Sequence, residues 1–219
     1  MKRGPLSRDG APGQILAALV TLVAAGWGYA HGAERTDPPV DQTPRPAKVL
    51  SLARLAPRAP RARLRVTSMA FATNSAIPMR DSGYGDSISP PLRWTPARGA
   101  RTYALILEDP DAPTPAPFVH WIIWNIPADV TALAAGVPKT ARLANPPGAE
   151  QGRNGRRSIG YFGPHPPGGD PPHHYHFQIF ALDRSLSLDP ETTDRDTLAA
   201  AMEGHVLGEG ELVGLFRAP

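Results

Sequence analysis

Apolar residues in this chain fall in short runs bounded by turns, the pattern of strands packed into a sandwich. Leu64-Arg65-Val66-Thr67 alternates apolar and polar positions, as a strand with one buried face does. Tyr103-Ala104-Leu105-Ile106-Leu107 and Trp121-Ile122-Ile123-Trp124 are continuous apolar runs. His173 to Leu182 reads as a further strand closed by Asp183, and Glu211 to Phe216 as the last. Pro90-Pro91, Pro146-Pro147 and Pro171-Pro172 punctuate the loops. One helix breaks the pattern, over Thr197 to Glu203, with Thr193 or Asp194 as its cap and Gly208 and Gly210 ending it. The expected fold is an all-β sandwich with one short C-terminal helix.

The first third of the chain follows other rules. Lys2, Arg3 and Arg8 precede an apolar run from Ile15 to Ala25, and Ala30-His31-Gly32 offers small residues for cleavage. Residues 1–32 therefore read as a secretory signal peptide, with a retained N-terminal anchor as the alternative. The run is shorter than the roughly 20 residues that a spanning helix needs. Once the signal is cleaved, the product is not an integral membrane protein, and it is expected to be periplasmic or secreted. Residues 33–62 mix Pro, Arg, Ala and Thr without an apolar period and read as a disordered linker. The folded domain is expected over 63–219.

Composition narrows the function. The 219 residues are enough for one domain with a real core. With no cysteine, the chain has no disulfide framework, no thiolate metal site and no thiol for lipid attachment. The formal charge of +3 hides an asymmetry. Residues 1–66 hold eleven Lys/Arg against four Asp/Glu, whereas 67–219 hold twelve against sixteen. The basic character belongs to the N-terminal segment, so a nucleic-acid partner is not expected of the domain.

Two segments carry candidate chemistry. Asp109-Pro110-Asp111-Ala112-Pro113 leads into Phe118-Val119-His120-Trp121, and Gly163-Pro164-His165-Pro166-Pro167-Gly168 leads into His173-His174-Tyr175. Each joins a rigid turn to a histidine-bearing strand. Alternation puts His120 on one face with Phe118 and Ile122. It puts His173, Tyr175 and Phe177 on one face, and His174 and His176 on the other. Imidazole and phenol donors suit phosphoryl or carboxylate oxygens. The Asp109 carboxylate would repel an anion, so it orients a histidine or shares a proton with the ligand. Backbone N–H groups near Gly160, Gly163 and Pro164 are candidate further donors. Binding through these histidines should vary with pH between about 5 and 8.

The order of these segments resembles the phosphatidylethanolamine-binding protein family, in its bacterial Raf kinase inhibitor-like branch. The resemblance runs through Ile88-Ser89-Pro90-Pro91-Leu92-Arg93-Trp94, the Asp-Pro-Asp-Ala-Pro segment with His120-Trp121, and Asn125-Ile126-Pro127. It continues through Gly160-Tyr161-Phe162-Gly163-Pro164, Ala181-Leu182-Asp183, Gly204-His205-Val206-Leu207 and Glu211-Leu212-Val213-Gly214. It implies a Greek-key β-sandwich with a small anion pocket. By position it places the ligand-binding residues at Asp109, His120, His173 and Tyr175, with Gly163 and Pro164 at the rim. Asp111 and Pro113 would shape a turn that in the family can contain a cis-proline. Where the family has His-Arg-Tyr, this chain has His173-His174-Tyr175.

The resulting expectation is a non-enzymatic binding protein, without a cofactor, that takes a phosphate ester or phospholipid headgroup. In it His120, His173 and Tyr175 donate and Asp109 orients, and a protein partner is modulated in turn. Two alternatives differ in chemistry. The domain inhibits a kinase or protease by direct contact, or His174 and His176, spaced His-x-His on one strand face, hold a transition metal. The sequence has no Gly-x-Ser-x-Gly elbow and no phosphate-binding P-loop, and no nucleophile stands near Asp109 and His120.

Overall fold

The computed structural model describes residues 48–55 and 62–219. The expected signal peptide, and the linker apart from 48–55 and 62, lie outside the described residues. A single helical turn, α1 (Ser51–Arg54), comes first, followed by the short strands β1 (Ala62–Arg63), β2 (Val66–Thr67), β3 (Ser75–Ala76) and β4 (Leu92–Trp94). The long strands β5 (Thr102–Asp109) and β6 (Phe118–Pro127) form a hairpin. Next come β7 (Ala132–Leu133), β8 (Glu150–Gln151), β9 (His173–Leu182), α2 (Arg195–Met202) and β10 (Val206–Phe216).

The larger sheet runs β1-β10-β9-β5-β6-β8, with β3 also pairing β10, and the smaller runs β2-β4-β7. After β6 the chain first adds, in the larger sheet, the short β8 along the outer side of β6. It comes back as β9 on the far side of β5, the long return connection of a Greek key.

Both faces of the larger sheet are covered, and this explains the continuous apolar runs. Tyr103, Leu105 and Leu107 pack with Trp121, Ile123, Phe177 and the residues of the smaller sheet, including Leu92 and Trp94. Ala104, Ile106, Ile122, Trp124 and Phe180 pack with Leu198, Ala199 and Met202 of α2 on the other side. All eight residues of β5 are therefore buried.

Two expectations are corrected. The helix is capped by Asp194, whose carboxylate accepts the Thr197 N–H at 2.9 Å, but it ends at Met202, before Gly204 in a left-handed conformation (φ 78°). Gly208 and Gly210 do not end it. They lie inside β10, where a Cβ on Gly210 would run into the Leu64 carbonyl. The last strand accordingly begins at Val206 rather than Glu211. The second correction concerns the linker, because residues 48–55 are docked on the helix-side face of the sheet. Leu55 is buried there beside Ile106 and Leu198.

Candidate functional site

Asp109 ends β5 and immediately organises the loop that follows. Its Oδ1 accepts the backbone N–H groups of Asp111 at 2.8 Å and Ala112 at 3.0 Å, an Asx-turn that the Pro110 and Pro113 rings stiffen. Its Oδ2 lies 2.9 Å from Nδ1 of His173, the first residue of β9, and both side chains are buried. His173 Nε2 lies 3.4 Å from Oδ2 of Asp170, which is half exposed. Asp111 ties the same loop to β9 by accepting both the backbone N–H and the Nδ1–H of His174, each at 2.8 Å. Burial alone would raise the Asp111 pKa, but the hydrogen bonds from His174 outweigh it and hold the carboxyl low. The cis peptide found among the described residues joins Asn145 to Pro146 and is not in this turn.

His120 reaches the site because β6 is bulged. Leu107 pairs with Trp121 while Glu108 pairs with Val119, which leaves His120 as the extra residue. Strict alternation is lost at this point. Ile122 faces the helix layer, and His120 does not share its face as expected. The ring lies parallel to Phe162, with centroids 5.4 Å apart, and edge-on to Tyr175 at 5.1 Å. Its Nδ1–H donates to the Phe162 carbonyl at 2.8 Å. Burial pushes its pKa down to about 4, against the opposing pull of that carbonyl and of Asp109. At neutral pH His120 is therefore uncharged, its one N–H is committed, and Nε2 is an acceptor. The sequence expectation has His120 donating to an anion, whereas this neutral ring presents an acceptor to the cavity.

Tyr175 is fully buried, and its hydroxyl has no hydrogen-bond partner among the described residues. Burial, reinforced by the Asp109 carboxylate, raises its pKa well above the ordinary phenol value. Gly163 and Pro164 do not line the cavity beside these residues. The Gly163 N–H is spent on Ser87 Oγ at 2.9 Å, and the Pro164 carbonyl accepts the Gly83 N–H at 2.8 Å. A Cβ on Gly163 would stand 2.5 Å from the Asp81 carbonyl oxygen, so this glycine lets two backbone segments pass in contact. These two residues hold the loop in place, and His165, Pro166 and Pro167 face the cavity.

The cavity measures about 230 Å³. Asp109, His120 and His173 contribute its buried polar groups, Phe118 and Phe162 an aromatic wall, and Arg156 and His165 further polar groups. The Arg156 guanidinium sits 4.1 Å above the Phe162 ring, giving a stack of Arg156, Phe162 and His120. His165 stacks on Tyr84 at 4.2 Å, and the Tyr84 hydroxyl donates to the Pro166 carbonyl at 2.6 Å. The sequence reading assigns Arg156, Phe118, Phe162 and Asp170 no role at the ligand site. A usable signal was the arginine pair 156–157 shortly before Tyr161-Phe162. Three larger hollows, of about 320, 360 and 440 Å³, contain no histidine.

His174 and His176 turn away from the cavity and are engaged by carboxylates, His174 with Asp111 and His176 with Glu211, each through Nδ1 at 2.8 Å. Among the described residues no group of three or more His, Asp or Glu is placed to hold a metal ion.

The sequence model described as phosphatidylethanolamine-binding protein matches residues 67–217. A UPF0098 protein of Methanothermobacter thermautotrophicus is 48% identical over 149 residues, covering 68% of this chain and 95% of that protein. LppC of Mycobacterium tuberculosis, whose name marks it as a candidate lipoprotein, is 34% identical over 216 residues, covering 99% and 97%. A phosphatidylethanolamine-binding protein homologue of Chlamydia trachomatis superposes with a TM-score of 0.63 at 37% identity, over 72% of this chain and 99% of that one. YbcL of E. coli, described as a new member of the mammalian family, gives 0.66 at 29% identity, over 72% and 100%. With the family model spanning most of the chain and this Greek-key sandwich beneath it, the chain belongs to the phosphatidylethanolamine-binding protein family.

Proposed function

We propose that this is an exported, non-enzymatic binding protein whose cavity holds a phosphate ester of headgroup size. The observation that carries the reading is the pairing of Arg156 with the Asp109-anchored His173 on one small cavity. The Arg156 guanidinium offers phosphoryl oxygens a planar fork of donors, and His173, whose Nδ1–H is given to Asp109, donates from Nε2 in the form that carries a proton on both ring nitrogens. The acceptors tell the ligands apart. His120 Nε2 and the Asp170 carboxylate suit a protonated partner, either the remaining hydroxyl of a phosphomonoester or the ammonium of an ethanolamine-type headgroup. A bare dianion would offer these acceptors no proton while standing near the Asp109 carboxylate and the Asp170 carboxylate beside His173.

Export rests on the basic-then-apolar start of the sequence and on the full-length likeness to LppC. The absence of cysteine means that attachment of a lipid to a thiol is not the route here. No helix among the described residues is long and apolar enough to cross a membrane. Calorimetric titration with glycerophosphoethanolamine, a phosphomonoester and acetate tests the binding reading. Saturable binding of the phosphate esters, with acetate silent, is expected. Equal heats from all three, or none from the esters, would overturn it.

A further inference from the structure

On the opposite face of the larger sheet from the cavity, Glu108 is a fully buried carboxylate among apolar neighbours. Such a group survives only with a full set of donors. Gln178 Nε2 donates to it at 2.7 Å and Arg195 Nη1 at 3.2 Å. The other two donors come from residues 48–55: the Ser51 backbone N–H at 2.8 Å and the Ser51 hydroxyl at 3.1 Å. The next N–H along, that of Leu52, donates to Gln178 Oε1. Two consecutive backbone N–H groups thus meet two buried side-chain acceptors. Arg54 pairs with Asp196 of α2 at 2.8 Å, and Leu55 enters the apolar layer. These contacts specify a short segment of a particular sequence, not a generic apolar strip.

The same segment touches the ligand cavity from behind. Lys48 Nζ donates to the carbonyl of Ala112, which lines the cavity and whose N–H is held by Asp109. We propose that the surface formed by Glu108, Gln178, Arg195 and Asp196 is a peptide-docking groove occupied in cis by residues 48–55, and that this segment is a strap clamping the Asp109–Pro113 wall of the cavity. Docking of the strap and order in that wall reinforce one another, as any two coupled equilibria must. Its effect on ligand affinity rests on the binding reading above, but the clamp itself does not.

Amide hydrogen exchange on the full-length, ligand-free protein separates the two. In the wild type the Leu52 and Ala112 amides are expected to be protected. Ser51→Pro with Leu55→Asp undocks the strap and should speed exchange at Leu52, Asp111 and Ala112 at least tenfold, with Ile106 and Phe180 still slow as evidence of an intact sheet. Lys48→Ala, which leaves Glu108 and its partners alone, should speed Ala112 and spare Leu52. Free exchange at Leu52 in the wild type would overturn the docking. Unchanged exchange at Ala112 in Lys48→Ala would overturn the clamp, even should the double variant fail to fold.

Discussion

Asp109 and His173 meet across the break between two strands that are neighbours in the sheet, Oδ2 to Nδ1 at 2.9 Å, with both side chains almost wholly removed from solvent. The carboxylate uses its other oxygen to hold the Asp111 and Ala112 N–H groups, so one side chain fixes both the histidine and the loop wall. Replacing Asp109 with Asn keeps the Oδ1 acceptor and removes the charge opposite His173. The expected outcome is a stability loss of about 1–3 kcal/mol, from the weakened buried hydrogen bond. Phosphate-ester affinity should fall at least tenfold. Calorimetry and thermal melts on the same preparation check both, and unaltered affinity would argue against His173 as an oriented donor.

His120 gives stability a pH dependence of definite sign. In the unfolded chain it takes up a proton below about 6.5, whereas folded it stays neutral until about 4. Between those values the unfolded chain binds more protons. The contribution of His120 is therefore complete above about 6.5 and lost progressively as pH falls to about 4, by up to roughly 3 kcal/mol. Melting temperatures over this window should drop more steeply for the wild type than for His120→Asn, which keeps a donor toward the Phe162 carbonyl. Parallel curves would mean that His120 is not held neutral.

Arg156 lies on the surface side of the Phe162 ring, so its removal should spare the fold and damage binding. Arg156→Ala is expected to change stability by no more than about 1 kcal/mol, the worth of an exposed cation–π contact. Affinity for a phosphate ester should fall about tenfold, or roughly 1.4 kcal/mol. The wild type's affinity should weaken with added salt more than the variant's. Titrations at two ionic strengths decide this.

Gly163 should behave in the opposite way. A Cβ there meets backbone at the Asp81 carbonyl and the Ser82–Gly83 peptide, which no side-chain rotation relieves. Gly163→Ala is expected to cost about 1–3 kcal/mol, the scale of an overpacked interior. The loss should be visible in a thermal melt without ligand. A variant of wild-type stability that had lost only binding would return Gly163 to the cavity rim.

How much of this was legible in the sequence depends on how local the cause was. On β9 the two-residue period is unbroken, so His173, Tyr175 and Phe177 could be assigned to one face and His174 and His176 to the other. On β6 the same rule misplaced Ile122 relative to His120, because a bulge is set by the pairing partner β5 and leaves no mark in the bulged strand itself. Two-sided burial of β5 was implicit in the run Tyr103–Leu107, but Glu108 beside it needed a distant partner to make sense. That partner, the segment around Ser51, was hidden among prolines and arginines whose composition reads as linker. Arg156 and Phe162 were unremarkable separately, and only the fold of the 152–165 loop stacks one on the other against His120.

The most direct measurement is a crystal structure of the protein with glycerophosphoethanolamine. The phosphoryl oxygens should lie within hydrogen-bond distance of His173 Nε2 and the Arg156 guanidinium, with the ammonium or a protonated oxygen toward Asp170 or His120 Nε2. A headgroup bound elsewhere, or a cavity without density at a concentration that saturates the calorimetric signal, would contradict the account.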